Sequence, residues 1–578
     1  MLRYWIDHEE VFAQTDASFE FIRTNSILSQ DGDSSYNISF DMREPRNAKA
    51  FHHISRLNSL ANIDKKHIII TDTSDTVFDG CVSFLGYEGN ILNLQALGGD
   101  AEVKYLSSDI SLRKLNLGTV EDYTHEQMDA INETVWPQSP GCFPPVLKGS
   151  YEFANTFAGF QGKYFVNFQN AQGKIDSSMT QLQPYVLEVI KRVLDYYGWT
   201  IVENYIATVP QFCCLYVVNG FTQTKEFAKL LPDWTASDFL DEVRKFFNVV
   251  FVYDNTKRTV RIVNSTAYYQ SITSPIVIGN EEVLRGEDAH SVDVEVNENV
   301  INYSKFRYDL DNTGWYMYQD IDPAVVSMCS QDSIVNMGNY ENDAFVIFSW
   351  QNYNKYKLVK TDSTRRCLSL QRFGTWNNRD DDDAMTLRII PADVQEHLYM
   401  LIYSVNGDAQ TNIYHFPIPR AYSYSNEENQ PPKGLEAAIK EGADYDPYKP
   451  AKLYVAYKVL GQQTLKADKN WDDGILSWRM TFSAVSPLWG IDAWSAESKS
   501  LSLIYDLSPE YMSEHYYQGS LEVDFEKVYC IRFRSKSMPS PEGLYIVAGR
   551  KFLCRELHFF VEKSIRLPYY EGYFYAVK

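Results

Sequence analysis

The strongest constraint on the fold is an alternation of apolar and polar residues near the N-terminus. The runs 35–42, 68–70, 76–85 and 91–97 repeat with a period of two residues, between turns rich in Asp, Ser, Gly and Asn. This pattern is typical of half-buried strands. Strands joined by such short turns form a meander, and closing a meander into a barrel removes its exposed edges. We therefore predict a small β-barrel over residues 1–120.

The C-terminal part of the chain shows the same alternation. Its strand-like runs are 528–533, 544–547, 552–554 and 570–575. We predict that residues 276–340 begin a second β-barrel and that residues 501–578 complete it. Strand-like runs at 292–296 and 300–303 support its beginning. Residues 341–500 are less regular and contain long loops, so they are predicted to be an insertion or an added, mostly β domain.

An amphipathic helix is predicted directly after Pro184. Proline suits the first turn of a helix, where its missing N–H costs nothing, and Gly198 marks the end. The apolar residues recur at helical spacing and share one face: Val186, Val189, Ile190, Val193, Leu194 and Tyr197. Strand-like sequence follows at 199–202.

A second amphipathic helix is predicted from Thr235 to Asn248. Thr235 followed by Asp238 is a helix-capping signature. The apolar face of this helix consists of Phe239, Leu240, Val243, Phe246 and Phe247. The strand-like runs 249–253 and 258–263 follow, separated by a polar turn, and predict a hairpin.

The predicted fold class is α+β and β-rich. Two small β-barrels flank an α+β domain at 180–275, with residues 121–179 as a connecting segment. No 20–50-residue repeat or coiled-coil heptad is present.

Composition narrows the classes of function. Lys and Arg total 54 against 76 Asp and Glu, a net charge of −22, which opposes binding to nucleic acid and to anionic membranes. Aromatic residues make up 15% of the chain, which suits sheet surfaces and large contact areas. The N-terminus lacks the apolar run of a signal peptide, and no window approaches the ~20 apolar residues that span a bilayer. We expect neither signal-directed secretion nor membrane insertion.

Candidate metal and redox residues have plainer interpretations. The run Asp380–Asp383 could collect Ca²⁺, but it lacks the spacing of a calcium loop and is typical of a solvated loop. His52 and His53 precede Arg56 in a helix-like segment and face different sides, so they cannot chelate together. Cys213 and Cys214 lie in a strand-like run, which sends their sulfurs to opposite faces as core residues. The eight cysteines form no CxxC pair, which indicates a reduced compartment.

A carbohydrate-binding or carbohydrate-cleaving protein is the alternative class. Glycoside hydrolases use two carboxylates beside the scissile bond. The segments 471–474 and 489–494 combine Trp with Asp and could line a sugar cleft. In an acidic β protein such combinations arise by chance, and no GxSxG, P-loop, GxGxxG or HExxH motif is present. We predict no enzyme activity and no catalytic, cofactor-binding or metal-binding residues.

The helix opened by Leu231–Thr235, with the strand Val249–Val252 after it, resembles the tail hub proteins of tailed bacteriophages. These are the baseplate hub of contractile tails and the N-terminal part of the tail-associated protein of long flexible tails. The C-terminal runs 547–554 and 571–575 resemble the closing strands of a subgroup from phages of gut anaerobes. The resemblance covers about half of the chain, and the insertion at 341–500 departs from the family core.

The resemblance implies a homotrimeric ring at the distal end of the virion tail. Two related barrels per subunit would present six similar faces to a six-fold tail tube or distal tail protein. The opposite side would carry a three-fold tip, spike or fibre protein. DNA would pass through the ring without specific binding, no cofactor would be needed, and assembly would take place in the host cytoplasm. Some family members end in a peptidoglycan-cleaving domain, whereas this C-terminus has the pattern of a core strand.

Overall fold

A computed structural model describes residues 2–148, 165–289 and 523–578, apart from short gaps, and only separate segments between 290 and 522. The gaps are 15–17, 30–31, 36, 55, 57–64, 73–74, 168–174, 176–178, 211, 222, 266 and 536–537. The predicted runs at 292–296 and 300–303 lie outside the described residues.

The N-terminal strands pair with their neighbours in antiparallel ladders. They are β1 (Leu2–Ile6), β2 (Glu9–Val11), β3 (Ser18–Thr24), β4 (Asp33–Ser35), β5 (Ile38–Asp41), β6 (His67–Asp72), β7 (Asp75–Glu88) and β8 (Ile91–Gly98). The order of pairing is β5–β8–β7–β6–β1–β2, and Ala13, just after β2, pairs back to Phe40 in β5. Every second residue of β8 is buried, as the alternation predicts. The predicted meander is confirmed.

Three short helices lie between and after these strands: α1 (Pro45–Ala50), α2 (Asp100–Ser107) and α3 (His125–Asn132). The next elements are β9 (Gly141–Cys142), β10 (Val146–Lys148), β11 (Phe165–Val166), β12 (Gln183–Pro184), α4 (Val186–Tyr196), β13 (Thr200–Asn204), β14 (Leu215–Val217), α5 (Ala236–Phe247), β15 (Val249–Asp254), β16 (Thr259–Asn264), α6 (Tyr268–Ser271), β17 (Ile276–Ile278) and β18 (Val283–Ala289).

Helix α4 confirms the first predicted helix, except at its start. Pro184 is not in the first turn: it lies in β12, opposite Gly141, and Tyr185 caps the helix. A side chain on Gly141 would collide with the backbone of Gln183, so glycine allows this close approach. The predicted end is correct, because Gly198 adopts φ +78°.

Helix α5 confirms the second predicted helix at both ends. The Thr235 hydroxyl accepts a hydrogen bond from the Asp238 amide at 3.0 Å, and Asn248 ends the helix in the left-handed conformation. All five residues of the predicted apolar face are buried. Strands β15 and β16 form the predicted antiparallel hairpin, α5 packs against β15, and β13 adds to β16 in parallel.

The strands described between 290 and 522 are β19 (Phe306–Tyr308), β20 (Ile334–Tyr340), β21 (Asp343–Trp350), β22 (Lys355–Thr361), β23 (Cys367–Arg372), β24 (Met385–Leu387), β25 (Ile389–Pro391), β26 (Val394–Val405), β27 (Asp408–Ala421), β28 (Leu453–Val459), β29 (Gln463–Lys466), β30 (Ile475–Trp478) and β31 (Phe482–Ala484). β25 pairs with β28, which pairs with β14. Arg388 also donates to Glu242 of α5 at 3.2 Å. Part of the stretch predicted as an insertion therefore completes the core around α5.

The C-terminal strands are β32 (Val523–Phe533), β33 (Leu544–Val547), β34 (Arg550–Glu562) and β35 (Ile565–Val577). With β17 and β18 they pair in the order β17–β33–β34–β35–β32–β18. The end strands β17 and β18 are consecutive in the chain, with only residues 279–282 between them.

The two sets of strands share the order of five strands. Numbered along the chain within its own set (β1, β2, β5 to β8, and β17, β18, β32 to β35), both sets contain the order 1–4–5–6–3. In the second set the second strand pairs with the third, whereas in the first set it pairs with the first strand, and Ala13 just after it bridges to the third. Two residues separate the fourth strand from the fifth, and the fifth from the sixth, in both sets. One pair differs in direction, since β1–β6 is antiparallel and β17–β33 is parallel.

Strand β3 joins the two sets into one 14-stranded sheet. It pairs with β34 on one side and with β4 on the other, and β4 pairs with β8. Phe21 of β3 stacks on Phe559 of β34 with ring centroids 4.8 Å apart. The predicted α+β, β-rich class is confirmed, whereas the two-barrel architecture and the domain boundaries stay predictions.

The predicted α+β domain at 180–275 is called the α+β unit below. Replacing Phe247 by Ala should destabilise this unit strongly. Its ring is buried and lies edge-on to Phe212 at 4.8 Å, so truncation would leave a cavity and cost about 3–5 kcal/mol in unfolding free energy. Tyr196 is a matched control, since it is an aromatic residue of α4 with 45% of its surface exposed. Its replacement by Ala should change stability by about 0.5 kcal/mol or less in the same denaturant titration. Equal losses would contradict this packing.

Candidate functional site: a polar junction between the terminal sheet and the α+β unit

The sheet that β3 joins from the two strand sets is called the terminal sheet below. A cleft of ≈ 590 Å³ opens where this sheet meets the β15–β16 hairpin and the segment before β33. Four charged side chains that line it are Arg23, Asp33, Arg261 and Glu542. Its aromatic walls include Phe21, Phe78, Tyr253 and Phe559. A cleft with acids and aromatic rings is the arrangement that the carbohydrate alternative requires, so its hydrogen bonding matters.

Asp33 accepts hydrogen bonds on both carboxylate oxygens. Oδ1 accepts from the Thr24 amide at 3.3 Å, and Oδ2 accepts from Arg23 Nε at 3.4 Å and from Asn255 Nδ2 at 3.1 Å. Burial raises the pKa of Asp33; the positive charge of Arg23 opposes this shift, and Glu542 adds to it.

Glu542 is buried and is likewise held by the chain itself. Its Oε1 accepts from the Ser26 hydroxyl at 3.2 Å, and its Oε2 accepts from the Ser540 hydroxyl at 2.6 Å. All four oxygens of Asp33 and Glu542 thus accept hydrogen bonds from the protein. The two acids act as structural acceptors that fix β3, β4 and the segment before β33 relative to one another.

Asn255 ties three segments together at this junction. Its side-chain oxygen accepts from the Gly99 amide at 2.8 Å, while its nitrogen donates to Asp33. The sequence predicts only a turn here, which the structure confirms, because Asp254 pairs with Thr259 across the hairpin end. Asn is common in turns, so no sequence signal distinguishes this residue from an ordinary turn residue.

A second set of contacts joins helix α2 to the α+β unit. Asp100 accepts from Arg244 of α5, and both side chains are buried. Glu102 binds Arg258 through both oxygens, at 2.7 and 3.0 Å, and the Arg258 guanidinium lies 4.1 Å from the ring centroid of Trp199. Burial raises the pKa of both acids. Breaking a buried pair is costly, so these contacts fix the two parts in one arrangement.

The histidine and cysteine candidates lie away from this junction. The prediction that His52 and His53 lie in a helix-like segment is wrong. They follow α1 in a turn, with φ of +50° and +53°, and both are exposed. Cys213 and Cys214 are not in a strand but in a 3₁₀ turn at 212–214. Cys214 is buried, which raises the pKa of its thiol to about 11, and Cys213 is half-buried. Both thiols are free.

The remaining candidates, Asp380–Asp383 and the Trp–Asp segments 471–474 and 489–494, lie outside the described residues. Among the residues that the structure describes, no three His, Cys, Asp or Glu side chains are grouped to hold a metal ion. In that same part of the chain, no helix has the length and apolar character needed to cross a bilayer.

Solved structures similar to this chain include two that cover almost all of it. One is the crystal structure of the 43 kDa tail protein of prophage MuSo2 from Shewanella oneidensis, with 7% identity, a TM-score of 0.30 and coverage of 99% of this chain and 96% of that one. The other is the crystal structure of the tail protein from Neisseria meningitidis MC58, with 8% identity, a TM-score of 0.28 and coverage of 100% and 96%. Superpositions at these TM-scores support no inference about this chain. No protein-family model and no curated protein matches it.

Replacing Asn255 by Ala should weaken the junction. The change removes one hydrogen-bond partner from the buried Gly99 amide and one from Asp33, which costs about 1–3 kcal/mol in unfolding free energy. Asn255→Asp should cost more, because a second carboxylate would face Asp33. Thr256→Ala is the control, since that hydroxyl donates to Asp254 within the same exposed turn. Denaturant titrations that show the same stability for Asn255→Ala and Thr256→Ala would refute the role of Asn255.

Proposed function

We propose that the chain is a structural protein of a bacteriophage tail, and specifically the hub ring at its distal end. The ring joins a six-fold tail tube or distal tail ring to a three-fold tip, spike or fibre, and it encloses the DNA exit channel. The observation that carries this proposal is the pair of strand sets that share the order 1–4–5–6–3, on either side of the α+β unit.

Symmetry connects that observation to the proposed role. A ring of three subunits can match a six-fold partner only if each subunit contributes two equivalent faces. Two sets of six strands that share this order, joined through β3 in a single sheet, provide two such faces in one chain. A single-faced subunit would have no need of this duplication.

Each strand set is proposed to close into a barrel. In the first set, the Gln14 amide donates to the Ser39 carbonyl at 2.9 Å, next to the Ala13–Phe40 pair. The chain after β2 therefore returns to β5. In the second set, the short connection 279–282 holds the two end strands close together. Closure removes edges that would otherwise invite aggregation.

A structural role without catalysis agrees with the bonding at the cleft. In the acids that the fold brings together there, Asp33 and Glu542, every carboxylate oxygen accepts a hydrogen bond from the chain's own donors. A general acid or nucleophile needs an oxygen directed at substrate. The aromatic residues are therefore assigned to packing and to subunit contact, and the two acids of the cleft to holding its segments together.

The oligomeric state tests the proposal directly. The purified protein should have the mass of a trimer in sedimentation analysis and appear in negative-stain images as a three-fold ring with a central hole. A compact monomer that binds a glycan would instead support the carbohydrate alternative and overturn the hub.

The ring should not bind duplex DNA, even at low salt, where contacts to phosphate are strongest. Three copies of a chain of charge −22 carry −66, and carboxylates along the channel would keep passing DNA from adhering. Fluorescence anisotropy with a labelled duplex should show no change on titration with the ring. Tight binding that weakens as salt rises would contradict a DNA-repelling channel.

A further inference from the structure

Charge is distributed unequally between the two strand sets. Residues 1–98, which hold the first set, contain eight Lys and Arg against fourteen Asp and Glu. The second set, residues 276–289 and 523–578, contains eleven Lys and Arg against ten Asp and Glu, and ten of these basic residues lie in 523–578, which has only six acids. The C-terminal strands β32 to β35 are therefore a basic region in a chain whose net charge is −22.

Two of these basic residues lack an acidic partner within the chain. Some positive charges of the C-terminal strands are neutralised locally, as Arg532 is by Glu571 at 2.6 Å. Arg550 and Lys551, the first residues of β34, are both exposed, and neither forms an ion pair with any carboxylate among the described residues. Their charges face solvent.

Aromatic rings hold Arg550 in place. Its guanidinium carbon lies 5.1 Å from the ring centroid of Tyr529 and 5.5 Å from that of Phe552, and its Nη1 donates to the Tyr529 hydroxyl at 3.1 Å. A guanidinium has five N–H donors, so the side chain that the rings orient still has donors for a carboxylate. Tyr529, Arg550, Lys551 and Phe552 are called the basic patch below.

The patch lies beside an open turn. The chain passes from β33 to β34 through Ala548 and Gly549, which have φ of +49° and +78°. A Cβ added to Gly549 would meet no described atom within 4 Å. The chain around the turn is described without a gap from residue 538 to residue 578. The patch is therefore accessible to a partner from outside this part of the chain.

We propose that the basic patch binds the acidic N-terminal strand set of a second copy of this chain. In a ring of three subunits with two sets each, the sets alternate, so the second set of one copy lies beside the first set of the next. The excess of acids in residues 1–98 supplies the carboxylates that the patch lacks. Such a head-to-tail contact, repeated three times, closes a ring. The inference rests on the proposed function and assigns its subunit contact to named residues.

The chemistry of the patch favours a protein surface over an anionic membrane. Clusters that bind anionic lipid use about four to eight Lys and Arg, whereas this turn has two. The net charge of −22 would also repel a bilayer surface of the same sign. Arg, Tyr and Phe are enriched in the cores of protein interfaces, where a fixed guanidinium can pair with a carboxylate.

The first test compares the wild type with the patch variant Arg550→Glu/Lys551→Glu and the control Arg534→Glu/Lys563→Glu. The two control residues are exposed, form no ion pair among the described residues and lie at the opposite end of β32 and β34. Both variants change the net charge by the same amount. Sedimentation at low salt should show trimers for the wild type and the control but monomers for the patch variant, with unchanged melting temperatures.

The second test uses the wild type alone, so it does not depend on the folding of a variant. A carbodiimide joins a lysine amine to a carboxylate in contact with it. In rings assembled from equal amounts of ¹⁴N-labelled and ¹⁵N-labelled chains, mass spectrometry distinguishes links between copies from links within one copy. Lys551 should be linked to an Asp or Glu of residues 1–98 in another copy, in higher yield than Lys563.

Other results separate the failure of this inference from the failure of the proposed function. A wild-type trimer in which that link is absent, or whose patch variant is also trimeric, overturns the contact and leaves the ring intact. A patch variant that stays trimeric but loses binding to phosphatidylserine vesicles assigns the patch to a membrane instead. A wild type that stays monomeric at high concentration and low salt overturns both the contact and the ring.

Discussion

The pairing of β3 with β34 is the interaction on which the rest of the structure depends. It joins residues more than 500 positions apart, Ser18–Thr24 with Glu556–Glu562, and so places the two strand sets in one sheet. The stacked Phe21 and Phe559 rings add about 0.5–1.5 kcal/mol beyond the area they bury, and they connect the two halves of one apolar core. Without this strand, the described strands of the two chain ends would form two separate sheets.

Polar contacts then fix the α+β unit against that sheet. Asn255 and Asp33 hold the hairpin end, Glu542 holds the segment before β33, and the Arg244–Asp100 and Arg258–Glu102 pairs hold α2. These groups are buried or half-buried, and burial raises the pKa of the Asp33, Asp100 and Glu102 carboxyls. A perturbed carboxyl in a cleft is often a sign of catalysis, but here the hydrogen-bond partners identify a structural joint.

Local features of the fold can be predicted from sequence because each depends on neighbours along the chain. The capping pair Thr235 and Asp238, the stop at Gly198 and the alternation in β8 all belong to this class. Pairing between distant strands cannot be predicted in this way: alternation shows that one face of β3 is buried but not that β34 is its partner. For the same reason the sequence gives no sign that β25 and β28 pair beside β14, or of the role of Asn255.

The central claim is that the two halves of the chain are equivalent parts of one ring. The most direct test is a three-dimensional reconstruction of the purified assembly by electron cryomicroscopy. With three-fold symmetry imposed, rotation of the map by 60° should superimpose the density of the first strand set on that of the second at the face built by the two sets. Density at that face that matches itself only after 120° would show that the halves are not equivalent and would contradict the account.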